Sequence, residues 1–318
     1  MRTRQLYWRA RAYSQGMFGA LDNRLKPVYC PWQQRRNKGV YAVDIRAEVG
    51  FFAQLNWCVY IFAHCERFGL RPAVSLSSPF YTSRKGDNWL TYHFEGCALP
   101  EGQESLSADG VRISRVSTIG HLGMPTNYGE QMTLDDANRL LRKNLNVKKE
   151  IQDYVDSFIA RHFSSKQVVG VHYRGTDKGA EAPPVTFEDV ARTVWAYLRV
   201  NPVVEAIFVA SDEEKFIDRM REEFSQVDVI CHDDTLRSRD GTAAHTRVVE
   251  RENYLKGREA LINCLLLSRC KALIRTASFL SGWSSVFNPR LPVIMLNQPY
   301  DNKLWFPDAA IVRNALVQ

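Results

Sequence analysis

The sequence predicts an α/β fold made of two Rossmann-like domains that face a cleft, and three observations predict it. Residues 40–76 read as a strand, an apolar helix and a second strand, which is a βαβ unit and implies a parallel sheet. A second series of alternating strands and helices begins near residue 167. A chain of 318 residues is long enough for two domains with separate cores. We therefore expect an N-terminal domain at 1–160 and a C-terminal domain at 161–318.

The first unit consists of two β-branched runs around an apolar segment. Residues 40–45 and 71–76 predict strands, and residues 50–67 predict a glycine turn followed by a helix. Residues 80–132 are rich in Gly, Ser and Pro and predict irregular structure, with a weak strand signal at 111–116. Such a stretch is typical of an acceptor-facing surface, although a family-specific insertion has the same composition.

A long helical pattern at 133–162 precedes the second series. Thr133 is placed to cap this helix, with Asp135 and Asp136 in its first turn, and residues 144–147 divide it into two. The segments of the second series then follow in order along the chain. Its predicted strands are 167–173, 206–210, 227–231, 272–275 and 293–296, and its predicted helices include 187–200, 213–224 and 258–270.

The composition excludes several classes of protein. A hydrophobic content of 45% with 24% charged residues is ordinary for a soluble globular chain. No stretch approaches the roughly 18 uninterrupted apolar residues of a membrane span, and the N-terminus lacks the apolar block of a secretory signal. The seven cysteines form no Cys-x-x-Cys pair, so we expect reduced thiols and no zinc site. These features predict a cytoplasmic protein.

The positive charge is concentrated at the N-terminus. Residues 1–38 hold nine of the 42 Lys and Arg and one of the 35 Asp and Glu, so their net charge is +8 and that of the remainder is −1. This basic arm suits peripheral contact with the anionic inner face of a membrane, and a solvated tail is the alternative. No recognition motif accompanies the charge, so we expect no nucleic-acid partner.

Residues 168–178 form the most informative stretch. A β-branched strand ends there in His172 and Arg174, and Asp177 and Lys178 follow closely. Ligands of open α/β sheets bind beyond the carboxyl ends of the strands, and an arginine offers a planar, permanently charged fork that suits a diphosphate. A surface turn whose charges pair with one another has the same pattern, so this stretch alone leaves the choice open.

Three further strand ends or turns predict ligand contacts. Gly50 precedes a helix, where a glycine lets a ligand approach the backbone and the helix amides. Ser211 and Asp212 end a strand, where Asp212 either caps the next helix or shapes the ligand crevice. Thr276 and Ser278 supply hydroxyl groups at the start of another helix, an arrangement that cradles phosphate oxygens or simply caps the helix.

Two missing patterns narrow the chemistry further. The chain has no Gly-x-Gly-x-x-Gly sequence, so a nicotinamide or flavin cofactor has little support. It also has no Asp-x-Asp pair and no histidine-rich cluster, so we expect no metal ion. In that case Arg174, Lys178 and helix amides would stabilise a departing diphosphate.

Taken together, these motifs resemble the fucosyltransferase superfamily that carries the His-x-Arg-x-Thr-Asp signature, here at residues 172–177. Residues 171–182 look most similar to the α1,6-fucosyltransferases of the nodulation and core type. Residues 277–283 with Asn288-Pro289 look more like the α1,2 branch. The resemblance implies a GT-B glycosyltransferase fold, with GDP-fucose bound in the cleft mainly by the C-terminal half. It also implies inversion at the anomeric carbon without a metal.

The resemblance also implies roles for donor-binding residues. His172 and Arg174 would contact the donor, with Arg174 on the diphosphate. Thr276 and Ser278 would bind phosphate or ribose. Asn263 falls where the α1,6 enzymes place an aspartate that pairs with the guanine edge, and an asparagine there accepts fewer hydrogen bonds.

The acid–base residues implied by the resemblance follow the strand. Lys178 and Glu181 correspond to a proton-relay pair and a base, and the segment between them is one residue shorter than in the family. Asp177 is the alternative base. Gly50 is similar in position to the glycine loop of both branches.

The sequence thus favours an inverting, metal-independent transferase that moves fucose from GDP-fucose to a glycan hydroxyl. A cell-surface polysaccharide or lipo-oligosaccharide is the expected acceptor, and the linkage is open between α1,6, α1,2 and others. The alternatives are a non-catalytic protein that binds glycans or nucleotide sugars, and a transferase that uses a different nucleotide sugar. Incubation with GDP-fucose and candidate glycans separates the binding protein from the enzyme, since a binding protein consumes no donor.

Overall fold

The structure is a computed structural model that describes residues 40–97, 132–175, 182–232, 253–299 and 304–315. The basic arm, the weak strand signal at 111–116 and the candidate residues Asp177, Lys178 and Glu181 lie outside these described residues. The division of the chain into domains near residue 160 stays a prediction.

The described residues form nine strands and nine α-helices, together with one π-helical turn at Ile159–Phe163. The strands are β1 (Val40–Arg46), β2 (Arg71–Ser77), β3 (Phe94–Gly96), β4 (Leu145–Val147), β5 (Gln167–Tyr173), β6 (Val204–Ser211), β7 (Asp228–Cys231), β8 (Ala272–Arg275) and β9 (Val293–Met295). The helices are α1 (Phe51–Phe68), α2 (Leu90–His93), α3 (Leu134–Asn144), α4 (Lys149–Phe158), α5 (Phe187–Val200), α6 (Glu214–Glu223), α7 (Asn253–Ser268), α8 (Phe279–Phe287) and α9 (Asp308–Ala315).

The first unit is the predicted βαβ unit. Strands β1 and β2 pair in parallel, from Val40 opposite Arg71 to Arg46 opposite Ser77. Helix α1 connects them and ends at Gly69, whose φ of 65° lies in the left-handed region that glycine adopts at little cost. The Gly69 N–H donates to carbonyls of the last turn, which closes the helix and directs the chain into β2.

The predicted break in the long helical pattern is confirmed. Helix α3 begins after Thr133, whose Oγ1 accepts a hydrogen bond from the Asp136 N–H at 3.0 Å. Strand β4 then separates α3 from α4 and pairs antiparallel with β3. The prediction of irregular structure throughout 80–132 was wrong for α2 and β3. Elements of three or four residues carry too little periodicity to be recognised, and β3 is formed only because β4 pairs with it.

The second unit is a five-stranded parallel sheet with the order β7-β6-β5-β8-β9. Strand β5 is central, and its side chains alternate between two hydrophobic clusters. Val168 belongs to the larger cluster, which also contains residues of α1 and α7, whereas Val169 and Val171 pack with α5 and α6. All five strands were predicted from their apolar runs, and the structure shifts their ends by no more than two residues.

Gly170 explains how closely helix α7 approaches the central strand. A Cβ atom at this position would lie 3.0 Å from the Leu267 side chain and 3.2 Å from the Cys270 sulfur. The absent side chain therefore lets the end of α7 pack directly on β5, which holds the carboxyl end of that strand in a fixed place.

Helix α7 begins at Asn253, five residues before the predicted start at 258. Its first turns carry polar residues that are buried rather than exposed, so the usual apolar pattern is missing. The Asn253 amide donates to the carbonyl oxygens of Pro79 and Thr82, both at 2.9 Å. These contacts dock the start of α7 on the loop after β2. Among the described helices, none is long and apolar enough to cross a membrane.

Candidate functional site

The carboxyl ends of β5 and β8 form the topological switch point of the second sheet. The chain runs from β5 to β6 on one side, and β8 lies on the other side, so the two strands diverge beyond this edge. The Arg174 N–H donates to the Thr276 hydroxyl at 3.1 Å, and the Thr276 N–H donates to the His172 carbonyl at 3.1 Å. The structure therefore brings together His172, Arg174 and Thr276, as the sequence predicted for a shared sheet edge.

Tyr81 connects this edge to the N-terminal half of the chain. Burial raises the pKa of Tyr81, while the Phe51 backbone N–H and the positive charge of Arg174 lower it. Phe51 is the first residue of α1, and its ring lies 5.5 Å from the Tyr81 ring, so Tyr81 packs on the start of this helix within electrostatic reach of Arg174.

Gly50 precedes α1 at this point, and its environment is open. Its φ of −58° is available to any residue, and no atom lies within 4 Å of the position that a Cβ atom would occupy. Neither the backbone nor the packing requires a glycine here. The open space beside Gly50 agrees with the predicted close approach of a ligand.

The fully buried side chain of Gln54 stabilises the turn at Gly50. The Gln54 amide donates to the Val49 carbonyl at 2.9 Å, and its oxygen accepts from the Trp89 indole at 2.9 Å. The start of α1 is consequently rigid, as a preorganised anion site requires. No local sequence pattern indicates this contact, because Trp89 lies 35 residues away from Gln54.

Ser278 occupies the N-cap position of helix α8, but its side chain caps no amide of that helix. The residue is 4% exposed, and its Oγ atom has no hydrogen-bond partner within the described part of the chain. An N-cap serine ordinarily accepts from the N–H groups of the first turn. The Ser278 hydroxyl and these helix amides are thus a set of buried donors that a ligand oxygen would satisfy.

The end of β6 lies beside the end of β5. The Ser211 hydroxyl accepts from the Glu213 N–H at 3.1 Å. Glu213, and not Asp212, stands at the N-cap position of α6, so the capping role considered for Asp212 was wrong. Asp212 therefore lies in the strand-to-helix turn, where shaping of the crevice is the role that stays predicted for it.

Glu213 is a residue that the sequence reasoning missed. Burial and then the charge of Asp212 raise its pKa, while the Gly175 backbone N–H lowers it by hydrogen bonding to the carboxylate. Gly175 lies close to this carboxylate, since a Cβ atom there would meet the Glu213 carboxylate and the Tyr173 ring. The sequence did contain a signal for Glu213, which is a second acidic residue directly after Asp212 at the end of β6.

The segment that follows residue 181 is also tied to the sheet. The Tyr173 hydroxyl donates to the Val185 carbonyl at 3.2 Å, and the Tyr173 ring stacks on Phe216 with centroids 4.2 Å apart. Asn297 accepts from the Ala277 N–H at 2.7 Å and donates to the Pro183 carbonyl at 2.8 Å. The chain is therefore anchored both before and after the predicted acid–base residues.

Asn263 lies on α7 rather than at a strand end. It is buried, and its amide donates to the Glu259 carbonyl of the preceding turn at 3.1 Å. The structure thus places Asn263 on the helix that packs against β5. Its contact with a nucleotide base stays a prediction.

His93 supports the start of α1 from the other side and predicts a dependence of stability on pH. Its ring lies 5.1 Å from Tyr254 and 5.7 Å from Phe51, and neither nitrogen has a hydrogen-bond partner among the residues that the structure describes. Burial, followed by the charges of Lys148 and Arg258, lowers the pKa of His93 to about 3. The folded state therefore keeps this ring neutral when the unfolded chain, with a pKa near 6.5, has already bound a proton.

The folded chain should accordingly lose stability as the pH falls below about 6.5, by about 2 kcal/mol at pH 5 from this group. In His93→Phe, the fall in unfolding free energy between pH 7 and pH 5 is expected to shrink by that amount. Chemical denaturation at both pH values measures it. Phe94→Leu, a neighbouring buried substitution that removes no titratable group, is the matched control and should keep the wild-type difference. An unchanged pH dependence in His93→Phe contradicts the prediction.

The chain is similar to one protein family and to several solved structures. The family described as Nodulation protein Z (NodZ) matches residues 132–308. No curated protein matches the chain. Among solved structures, NodZ alpha-1,6-fucosyltransferase soaked with GDP-fucose is similar with a TM-score of 0.55 and 17% identity, covering 83% of this chain and 99% of that one.

Two further structures show the same likeness. Fucosyltransferase NodZ from Bradyrhizobium gives a TM-score of 0.55 at 15% identity, over 83% of this chain and 99% of that one. A mutant of Arabidopsis thaliana FUT1 in complex with GDP gives a TM-score of 0.52 at 11% identity, over 93% of this chain and 81% of that one. The predicted GT-B fold is thereby confirmed.

Proposed function

The chain belongs to the NodZ family of fucosyltransferases, and on that premise we propose that it transfers fucose from GDP-fucose to a hydroxyl group of a glycan. One observation carries the proposal. Arg174 leaves the central strand at the topological switch point, where its N–H donates to the Thr276 hydroxyl, and the buried Ser278 hydroxyl at the start of α8 has no partner within the described residues. A diphosphate in this crevice would meet a fixed cation and the positive end of a helix.

In this proposal the donor diphosphate takes its contacts from the end of β5 and the start of α8. Arg174 donates from the end of β5, and the Ser278 hydroxyl and first-turn amides of α8 donate from the other side of the crevice. Thr276 acts differently, because its hydroxyl already accepts from the Arg174 N–H and so fixes the backbone of that residue. His172 is buried next to this contact.

The reaction is a direct displacement. The acceptor oxygen attacks the anomeric carbon of fucose, the bond from that carbon to the β-phosphate oxygen breaks, and GDP leaves with the electron pair. Preorganised donors aimed at the developing negative charge stabilise this transition state. Glu181, or Asp177 in its place, takes the proton of the acceptor hydroxyl, with Lys178 as its relay partner. Inversion and independence from a metal ion are parts of the proposal.

Nucleotide preference is tested by thermal shift with GDP, UDP and ADP. We expect GDP to raise the melting temperature most, because GDP is the nucleotide of the proposed donor. A ligand present at 100 times its Kd stabilises the folded state by about 2.7 kcal/mol, which is a readily measured shift. Asn263 can accept fewer hydrogen bonds from a guanine edge than an aspartate. A larger shift with UDP or ADP would indicate that the chain uses a different nucleotide sugar as its donor. The proposed contacts to the diphosphate would not be affected by that result.

Turnover is tested with GDP-fucose and a panel of glycans and lipo-oligosaccharides. Release of GDP that depends on the acceptor supports the transferase, and fucosylated product identifies the linkage. Binding of donor and glycan without any release of GDP would favour the alternative of a non-catalytic binding protein. The same assay with a chelator tests the independence from metal.

Ser278→Ala is expected to weaken GDP binding about tenfold, because a hydrogen bond to a charged oxygen contributes about 1.5–3 kcal/mol. The folded chain itself should keep its stability, since the Ser278 Oγ atom has no partner among the described residues. Isothermal titration calorimetry measures the affinity.

Ser285→Ala is the matched control for this prediction. Ser285 lies on the same helix, is fully buried and likewise has no partner for its hydroxyl within the described residues. It lies beyond the first turn, so its loss should leave GDP affinity unchanged. Equal affinities for wild type and Ser278→Ala would remove Ser278 from the donor site.

A further inference from the structure

Arg275 is the last residue of β8, and its side chain is fully buried. Its Nε atom donates to the Ser281 hydroxyl at 2.9 Å, and one terminal nitrogen donates to the Ser278 carbonyl at 2.7 Å. Both acceptors belong to the start of helix α8. The guanidinium therefore binds the turn that precedes this helix and its first turn at the same time.

The charge of Arg275 is balanced by Asp308, which lies 33 residues later at the start of α9. The two terminal nitrogens donate to the two carboxylate oxygens at 2.6 and 3.3 Å, in a bidentate arrangement. Burying a charged arginine side chain away from water costs free energy, and an ion pair with an acidic partner offsets that cost. Asp308 thus allows Arg275 to occupy its position under the α8 turn.

The segment around Asp308 also packs directly on α8. A Cβ atom at Gly282 would lie 2.8 Å from the Asp308 carboxylate and 2.8 Å from the Pro307 ring. The absence of a side chain at Gly282 lets this segment reach the helix. The start of α8 is consequently held from β8 by Arg275 and from the C-terminal segment by Asp308.

We propose that Asp308 is a positioning residue for donor binding. Through Arg275 it fixes the Ser278 carbonyl, and with it the orientation of the Ser278 hydroxyl toward the donor phosphates. Asp308 itself contacts no substrate in this account. The inference rests on the proposed function, because it takes Ser278 to be a donor contact.

Asp308→Asn keeps the shape of the side chain and removes its charge. GDP binding to this variant is expected to weaken about tenfold, and a fall in stability is expected as well. Because lost stability alone would not distinguish the two roles, the readout is a double-mutant cycle with Ser278→Ala in GDP affinity. If Asp308 acts through the Ser278 turn, the double variant binds GDP about as weakly as Ser278→Ala alone.

Ser284→Ala is the matched control. It removes a buried hydrogen bond of α8, from the Ser284 hydroxyl to the Cys264 carbonyl at 3.0 Å, without touching the first turn. It should lower the melting temperature and leave GDP affinity unchanged. If Asp308→Asn fails to fold, Ser281→Ala replaces it in the cycle, because it removes the acceptor of the Arg275 Nε atom and a hydroxyl that donates to the Ser278 carbonyl at 3.5 Å.

The possible outcomes separate the two claims. Wild-type GDP affinity in Asp308→Asn, or losses that add independently to those of Ser278→Ala, would show that Asp308 only stabilises the fold and would overturn the inference. If Ser278→Ala itself binds GDP normally, the proposed donor contact fails instead. Loss of GDP affinity in both single variants, without further loss in the double variant, supports the inference.

Discussion

Arg174→Ala is expected to lower turnover of GDP-fucose by about 10²–10³-fold, the usual effect of removing one preorganised donor from a developing negative charge. The fold should be preserved, since the hydrogen bond to Thr276 uses the Arg174 backbone N–H and not its side chain. Single-turnover and steady-state kinetics together separate the loss in kcat from a loss in donor binding.

Two further variants sharpen this test. Arg174→Lys keeps a point charge but loses the planar fork, so an intermediate turnover is expected. Arg192→Ala is the control, because Arg192 pairs with Asp189 on the exposed face of α5 and its side chain is 74% exposed. Full turnover in Arg174→Ala would remove Arg174 from the mechanism.

Trp283→Ala is expected to lower the free energy of unfolding by about 3–5 kcal/mol, as large-to-small substitutions of buried aromatic residues do. The fully buried indole donates to the Asn56 oxygen at 2.5 Å and packs near Phe52 and Phe287. The Asn56 amide in turn donates to the Phe306 carbonyl at 2.5 Å. Trp283 therefore joins α8 to α1 and to the C-terminal segment.

The contribution of the ring is separated from that of its N–H by Trp283→Phe. This variant keeps most of the packing and leaves Asn56 without its donor, at a cost of about 1–3 kcal/mol. Because Trp283 packs α8 against α1 and the start of α8 belongs to the proposed donor site, Trp283→Ala should also lose donor affinity. Chemical denaturation monitors stability, and equal losses for the two variants would contradict the role of the ring.

The sequence predicted those parts of the site whose position follows from the order of the strands. His172, Arg174 and Thr276 each stand at the end of an apolar run, and parallel strands bring such ends to one edge. Pairing of β5 with β8 then places Arg174 beside Thr276, as the hydrogen bond between them confirms.

Residues that act through distant contacts could not be predicted in this way. Tyr81 lies in a loop without periodicity, and its relation to Arg174 depends on how two remote parts of the chain meet. Asp308 pairs with Arg275 across 33 residues, which no local pattern encodes. Glu213 was missed for a different reason, since a charged residue at a helix start is usually a solvated one.

The difference between local patterns and distant contacts also explains the errors in the predicted fold. The start of α7 was placed too late because Asn253 and Lys256 read as surface residues, whereas the folded chain buries both. Strand β3 was missed because its partner β4 lies about 50 residues away. Local periodicity predicts long elements well, and tertiary contacts decide the short ones.

A crystal structure of the chain with bound GDP tests the central claim most directly. The account predicts that the Arg174 guanidinium donates to the diphosphate at about 2.7–2.9 Å, the usual length of a charge-assisted hydrogen bond. It further predicts that the Ser278 hydroxyl faces the same ligand. GDP bound elsewhere, or bound with the Arg174 guanidinium directed away from both phosphates, would contradict it.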